Sequence, residues 1–352
     1  MAKTGPDSAA IHQVSSAEFA RPTMKDVAAI TGVTVKTVSR VVNGGDLVSP
    51  ETFQKVTDAI ESLGFRRNEY ARQLRQRTAT TVGLLLTDLS DPFFGVMMRT
   101  VEDIALQKGY MLLVASSAED PIRSVTTIES FAARGVTNVI MSAPAGIDTH
   151  ALKSELATGS RIVLVDRPIP DLNLDTVLTD NHDGAARATK HLLDHGHRRI
   201  AFFGDAESVY TAGERRRGYE TALAEAGILY DAQLICMAPP LAIDVQAALG
   251  KMFSLTDPPT AIFSGNNRWS VQLLKNLPSI DADTAFIGFD DFELGELLVP
   301  GRTVMSQDPA KIGQLAAQIL FDRIEGDSAP AQVIQLHAEL ISRGSGEIRP
   351  PQ

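Results

Sequence analysis

From residue 80 onward the chain repeats one pattern: an apolar run of four or five residues, then a stretch long enough for an amphipathic helix. The runs fall at 82–86, 110–114, 138–141, 161–165, 199–203, 260–263 and 284–287. Strands separated by helices are βαβ units, and such units build parallel sheets. About 270 residues exceed what one sheet usually serves, so two α/β lobes are expected. Open parallel sheets take ligands at the carboxyl ends of their strands. The segments to examine there are DLSDPFF from Asp88 to Phe94, Asp166-Arg167-Pro168, Gly204-Asp205, Gly265-Asn266-Asn267 and Gly288-Phe289-Asp290-Asp291. Neither G-x-G-x-x-G, nor G-x-x-x-x-G-K-[ST], nor G-x-S-x-G occurs, which disfavours nucleotide-dependent enzymes and the familiar hydrolases.

Charge divides the chain unevenly. The 352 residues carry a net charge of −10, yet residues 1–80 alone hold 11 Lys+Arg against 8 Asp+Glu. Between Arg66 and Arg77 there are five arginines and one acid, Glu69. A small basic unit on a large acidic body is the asymmetry of a polyanion-binding head, although a solvated helix face gives the same count. No apolar run is long enough to span a bilayer, and the first residues lack the apolar core of a secretory signal. The single cysteine, Cys236, offers no disulfide framework and reads as a small apolar residue. The expectation is a cytoplasmic protein with no membrane association.

Residues 1–22 lack periodicity and are expected to be a disordered tail. Thr23 then stands at a helix start with Asp26 three residues on, and Thr31-Gly32 ends that helix. Thr34 caps a second helix to Val42, which Asn43-Gly44-Gly45 closes. Ser49-Pro50 opens a third, with Phe53, Val56, Ile60 and Leu63 on one apolar face. Three short helices with a glycine turn between the first two make a helix-turn-helix unit, which lays its second helix in the DNA major groove. Short helix pairs of this kind also occur in proteins that never touch DNA.

The string TMKDVAAITGVTVKTVSRVVN at 23–43, with VSPETFQKVTDAIESLGF and NEYARQLR after it, resembles the head of the lac-repressor (LacI/GalR) family of bacterial transcription regulators. That resemblance implies that Val35, Lys36 and Arg40 read base edges. It sets Thr34, Thr37, Ser39 and Asn43 against phosphates or at helix ends. It also implies a hinge helix at 67–79 holding Asn68, Arg72, Leu74 and Arg75, with Leu74 wedged into the minor groove and the arginines on phosphates. Taken alone, Leu74 is an ordinary helix residue. The family usually has proline just before the hinge asparagine, and here Arg67 stands instead.

The segments DNHDGAARATKHLLDHGHRRIAFFG, ERRRGY and GFDD resemble the family's effector core, which is similar to periplasmic sugar-binding proteins. By matching position, Phe93 and Phe94 wall a ligand, and Arg215, Thr211, Asn266, Asp166 and Asp290 contact it. These side chains suit a polyol, since carboxylates and amides meet vicinal hydroxyls and an arginine forks across two of them. The alternative makes Asp166 and Asp290 helix caps and Arg215 a surface charge. Two departures from the family are Asn267 in place of aspartate and Trp269 in place of a smaller apolar residue. His191, His195 and His197 suggest a metal site by spacing, but no further ligand pattern completes a tetrahedron.

The implied architecture is α + α/β: an N-terminal helix-turn-helix DNA-binding head at 23–66, the linker at 67–79 and a two-lobed periplasmic-binding-protein-like effector domain at 80–352. The implied function is a regulator, expected to repress, that binds double-stranded palindromic operator DNA as a homodimer. A small-molecule effector, a sugar or sugar derivative, would control it. No metal or cofactor and no enzymatic activity are expected. A leucine-heptad tail like that of the family's tetramers is missing from RGSGEIRPPQ, which favours the dimer. The competing class is a solute-binding protein or sugar-modifying enzyme with an incidental head.

Overall fold

The computed structural model describes residues 22–42, 48–65, 80–276 and 284–351. The expected tail up to residue 21, the glycine stop after Val42, and the hinge with Asn68, Arg72, Leu74 and Arg75 lie outside the described residues. The chain separates into two compact units, dividing after Thr78.

In the smaller unit, α1 (Met24–Thr31), α2 (Val35–Val42) and α3 (Pro50–Leu63) begin and end at the signals the sequence carries. At α1 the Thr23 hydroxyl donates to the Asp26 carboxylate at 2.7 Å, and the Thr23 N–H donates to the same oxygen at 2.7 Å. The acid thus serves the cap, as a capping box requires. Gly32 takes the left-handed conformation (φ +69°) that ends α1 and starts the turn. The Thr37 N–H donates to Thr34 Oγ1 at 3.2 Å, so Thr34 caps α2. Val27, Val38 and Val56, one from each helix, are fully buried against one another. Phe53, expected on the buried face of α3, is 44% exposed, and Ala59 takes the inner position. The three-residue step from Val56 to Ala59 continues the buried stripe, and Phe53 stands outside the cluster.

The larger unit holds twelve strands among the described residues. Its first sheet comprises β1 (Thr81–Leu86), β2 (Met111–Ser116), β3 (Asn138–Met141), β4 (Arg161–Val165), β5 (Thr176–Thr179) and β11 (Val333–Leu336). The second comprises β6 (Ile200–Gly204), β7 (Ile235–Met237), β8 (Ala261–Ser264), β9 (Ala285–Phe289), β10 (Thr303–Ser306) and β12 (Glu339–Ile341). The strand orders are β11-β5-β4-β3-β1-β2 and β12-β10-β9-β8-β6-β7, one topology used twice. The helices are α4 (Pro92–Gln107), α5 (Pro121–Ala133), α6 (Thr149–Ala157), α7 (Asn181–Asp194), α8 (Tyr210–Glu225), α9 (Val245–Phe253), α10 (Asn267–Asn276) and α11 (Pro309–Glu325).

Alternation along each central strand feeds two cores per sheet. Leu84, Leu86, Ile140 and Val163 point to the side covered by α4 and α11, while Leu85, Val139, Met141 and Leu164 point to α5 and α6. In the second sheet Ile200, Phe202, Phe263 and Ile287 face α7 and α8, and Ala201, Phe203, Ile262 and Phe286 face α9 and α10.

The chain crosses between the sheets three times, each time through one or two residues: Asp180 after β5, Gln307-Asp308 after β10, and His337-Ala338 after β11. Asp180 and Asp308 cap the helices they lead into. Because β11 delivers the chain at the ends where the sheets meet, β12 must enter its sheet from that side. It therefore pairs antiparallel with β10, the one exception among the described strands to the expected parallel order.

Candidate functional site

The carboxyl ends of both sheets face a partly open cleft. Its lining includes all seven positions expected to contact a ligand: Phe93, Phe94, Asp166, Thr211, Arg215, Asn266 and Asp290. Thr87, Asp88, Asp91, Glu119, Arg167, Asp205, Arg268 and Gln307 line it too.

Equivalent strands carry equivalent acids. Asp166 follows β4 and Asp290 follows β9; both are buried and both sit at positive φ, +68° and +69°. Each anchors its backbone to the neighbouring strand, Asp166 N–H to Val177 O and Asp290 N–H to Met305 O, both at 2.9 Å. A non-glycine residue in this conformation is uncommon, and short Asp tolerates it better than most. Neither acid caps a helix, so that alternative fails. Burial pushes the Asp166 carboxyl above its usual range against the pull of Arg167 and Arg215. Burial likewise raises Asp91, opposed by the Asn267 amide and helped by nearby Asp290. For Asp88 burial works the same way, but the Ser90 hydroxyl and N–H and the Arg268 guanidinium outweigh it and leave the carboxyl below its usual range.

Arg215 is 4% exposed, which excludes the surface-charge alternative. Gly218, one turn further along α8, explains its placement. A Cβ at Gly218 would meet His182 O at 2.2 Å, so only glycine lets α8 lie so close to α7. Arg215, on the same helix face, then reaches Asn181 Oδ1 at 2.8 Å and Gly265 O at 2.7 Å. Its guanidinium also approaches Asp290 at 3.4 Å and stacks 3.8 Å above the Phe289 ring.

Other side chains are already committed to the protein. Asn266 accepts from the Trp269 N–H at 2.8 Å at the start of α10 and donates to Asp205 at 2.7 Å. Trp269 is fully buried against Phe203 and belongs to the core. Phe94 likewise packs into the first sheet's core, with Phe93 edge-on at 5.1 Å and more open to the cleft. Arg167 forks onto Glu119 at 2.8 and 2.9 Å. Arg268 reaches from α10 to Asp88 of the first lobe at 3.1 Å and Asp205 of the second at 3.2 Å, and Asn267 donates to Asp91 across the cleft at 2.8 Å.

The histidines serve the second lobe's C-terminal segment. His191 meets Glu347 at 2.7 Å, and His197 is held by Thr260 at 2.8 Å and Ile348 O at 2.7 Å. His195 caps back onto His191 O at 2.8 Å. Cys236 lies half-buried in β7, where burial raises its thiol.

On the smaller unit Thr34, Val35, Lys36 and Arg40 are exposed along one side of α2, and Thr37 and Ser39 are half-buried. Residues 23–68 match the family described as bacterial regulatory proteins, lacI family, and residues 189–346 match the periplasmic binding protein-like domain. The ribose operon repressor of Haemophilus influenzae is 30% identical over 330 residues, covering 92% of this chain and 98% of that protein. The chain belongs to the lacI family of bacterial regulatory proteins.

Among lacI-family relatives, the HTH-type transcriptional repressor PurR of Mannheimia succiniciproducens is 28% identical over 327 residues, 92% of this chain and 98% of the relative. A solved transcriptional regulator CelR–cellobiose complex is 28% identical with a TM-score of 0.67, over 92% of this chain and all of that one. The lac repressor dimer bound to operator and the anti-inducer ONPF shares the fold, with a TM-score of 0.76 at 22% identity. The PurR and ribose operon repressor relatives are transcriptional repressors, not enzymes. Among the described residues, no helix is long and apolar enough to cross a membrane.

Asp88, Asp91, Arg167 and Asp205 lay within the segments marked for attention. Thr87, Glu119, Arg268 and Gln307 did not. Arg268 is one residue past such a segment, Glu119 lies past the end of β2, and Gln307 follows a strand too short to stand out.

Proposed function

We propose that this lacI-family repressor binds a small polar effector in the cleft between its two sheets, and that binding changes its affinity for a two-fold symmetric operator. The observation that carries the reading is the convergence of Asp166, Asp290 and Arg215 on one cleft, two of them in the same strained conformation at equivalent strands. Strained, buried polar groups at a lobe boundary are what a preorganised ligand site requires. The three crossings of one or two residues leave the lobes joined by short segments able to absorb rotation. An effector that prefers one lobe arrangement by about 1–3 kcal/mol alters operator affinity about 5–150-fold.

In this reading residues 23–66 bind DNA. Val35, Lys36 and Arg40 contact bases, Thr34, Thr37, Ser39 and Asn43 contact phosphates or fix helix ends, and Asn68, Arg72, Leu74 and Arg75 act in a hinge at 67–79. Residues 80–352 bind the effector and pair two copies of the chain, in the cytoplasm. The effector is a sugar or sugar derivative, in keeping with the ribose operon repressor relative and the cellobiose complex.

The test is selection of binding sites by the full chain from random duplex DNA at about 150 mM salt, where non-specific phosphate binding is weak. Enrichment of a palindrome, with or without pooled sugars, supports a dimeric regulator. Failure to enrich any site, with and without the pool, sinks it.

A further inference from the structure

Resting on that effector reading, we infer that the cleft takes a polyol rich in hydrogen-bond donors and free of negative charge, and that it discriminates against phosphate esters and acid forms of the same sugar. The cleft presents six carboxylates and three guanidiniums. Each guanidinium is held by protein acceptors, Arg167 on Glu119, Arg268 on Asp88 and Asp205, and Arg215 on Asn181 and the Gly265 carbonyl, although the Arg268 Nε is buried without a partner. An incoming anion would have to break these bonds and desolvate beside surplus carboxylates.

The carboxylates are less fully matched. An ionised carboxylate offers about four acceptor sites. Asp91 is held by two neutral donors, the Phe93 N–H at 3.0 Å and the Asn267 amide. One further group points the same way independently of charge. Gln307 is 9% exposed and its amide nitrogen is bonded to Asp290, but its carbonyl oxygen is buried with no partner. The Thr87 hydroxyl, in a residue 1% exposed, is also unpartnered and can serve a ligand as donor or acceptor. Both residues line the cleft. A buried acceptor without a donor is costly, and hydroxyl or ammonium donors of a ligand satisfy it where a phosphate cannot.

The experiment is thermal stabilisation of the full chain by matched sets: glucose, galactose, mannose, ribose and cellobiose, the 2-amino-2-deoxy forms of the three hexoses, and the available phosphate esters. Titration of every responder follows. The expected result is that neutral or amino members stabilise the protein and that each phosphate ester binds at least about ten-fold more weakly than its parent. Asp91→Asn, which keeps the shape of the side chain, should narrow that ratio several-fold. A phosphate ester that binds as tightly as its parent overturns the inference and leaves the effector cleft standing. Silence of all sets at 10 mM overturns both.

Discussion

The two lobes of the larger unit share a strand order but wire it differently. Each sets an aspartate at positive φ beyond the fourth of its strands in chain order, Asp166 after β4 in one and Asp290 after β9 in the other. In the first lobe the nearby cation, Arg167, is the next residue and is bound to its own lobe's Glu119. In the second the cation, Arg215, comes from a different helix and ties α7, β8 and β9 together. The second lobe also sends Arg268 and Asn267 across to the first. Shared topology fixes where polar groups can stand, and the helices decide which charges meet them.

The largest expected effect breaks that wiring. Arg215→Met should destabilise the protein by about 3–5 kcal/mol, because it leaves Asn181 Oδ1 and the Gly265 carbonyl without their donor and buried Asp290 with the Gln307 amide but no cation. Arg167→Met should cost less, since of its two partners Glu119 is a third exposed and open to water, while Asp166, whose carboxyl burial already pushes upward, can take up a proton. Urea unfolding midpoints would measure both, and equal losses would mean the lobes are wired alike after all.

Next in size are the glycines at the closest helix approaches. A Cβ at Gly218 meets His182 O at 2.2 Å, and one at Gly313 of α11 meets Met97 O at 2.9 Å. Overpacking costs about 1–3 kcal/mol, so Gly218→Ala should stand at the top of that range and Gly313→Ala at the bottom. Reversed order in thermal melts would show that the first lobe holds its helices more rigidly.

Asp91 gives a pH signature. Burial first, with Asp290 adding to it, raises its carboxyl in the folded state, so the folded chain holds the proton more tightly than the unfolded one. Stability from this group therefore falls as pH rises above the unfolded value of about 4 and through the higher folded value. Asp91→Asn removes the penalty: it should raise the melting temperature at pH 7, with the gain vanishing below about pH 4. A gain that persists at pH 3 would assign the effect to packing. The smallest effect is expected for Arg268→Gln. Its bonds to Asp88 and Asp205 are part-exposed, so the loss should be about 0–1 kcal/mol, fading in high salt. A loss above 2 kcal/mol would make Arg268 the main tie between the lobes.

Much of this was legible in the sequence because its signals are local. Thr34, Gly32 and Ser49-Pro50 mark helix ends within a few residues, and the seven apolar runs all became strands. Strands β5, β7, β10, β11 and β12 escaped because three or four residues such as TVLT or ICM carry no period of their own. The crossings escaped because they depend on pairings far apart in the chain, such as Val333 beside Thr176. Arg215 could be placed through the family resemblance of ERRRGY, where Gly218 stands three residues beyond it. Arg268 could not, since nothing local tells which acids of the other lobe it will meet.

The most direct test of the central claim is operator affinity with and without the best-binding sugar, by fluorescence anisotropy, for the wild-type chain and Asp166→Asn. Asparagine tolerates the positive φ and keeps the side chain's size. The wild type should change its affinity about 5–150-fold, and the variant should bind operator normally while losing most of that response. An undiminished response in the variant would contradict the cleft as the effector site.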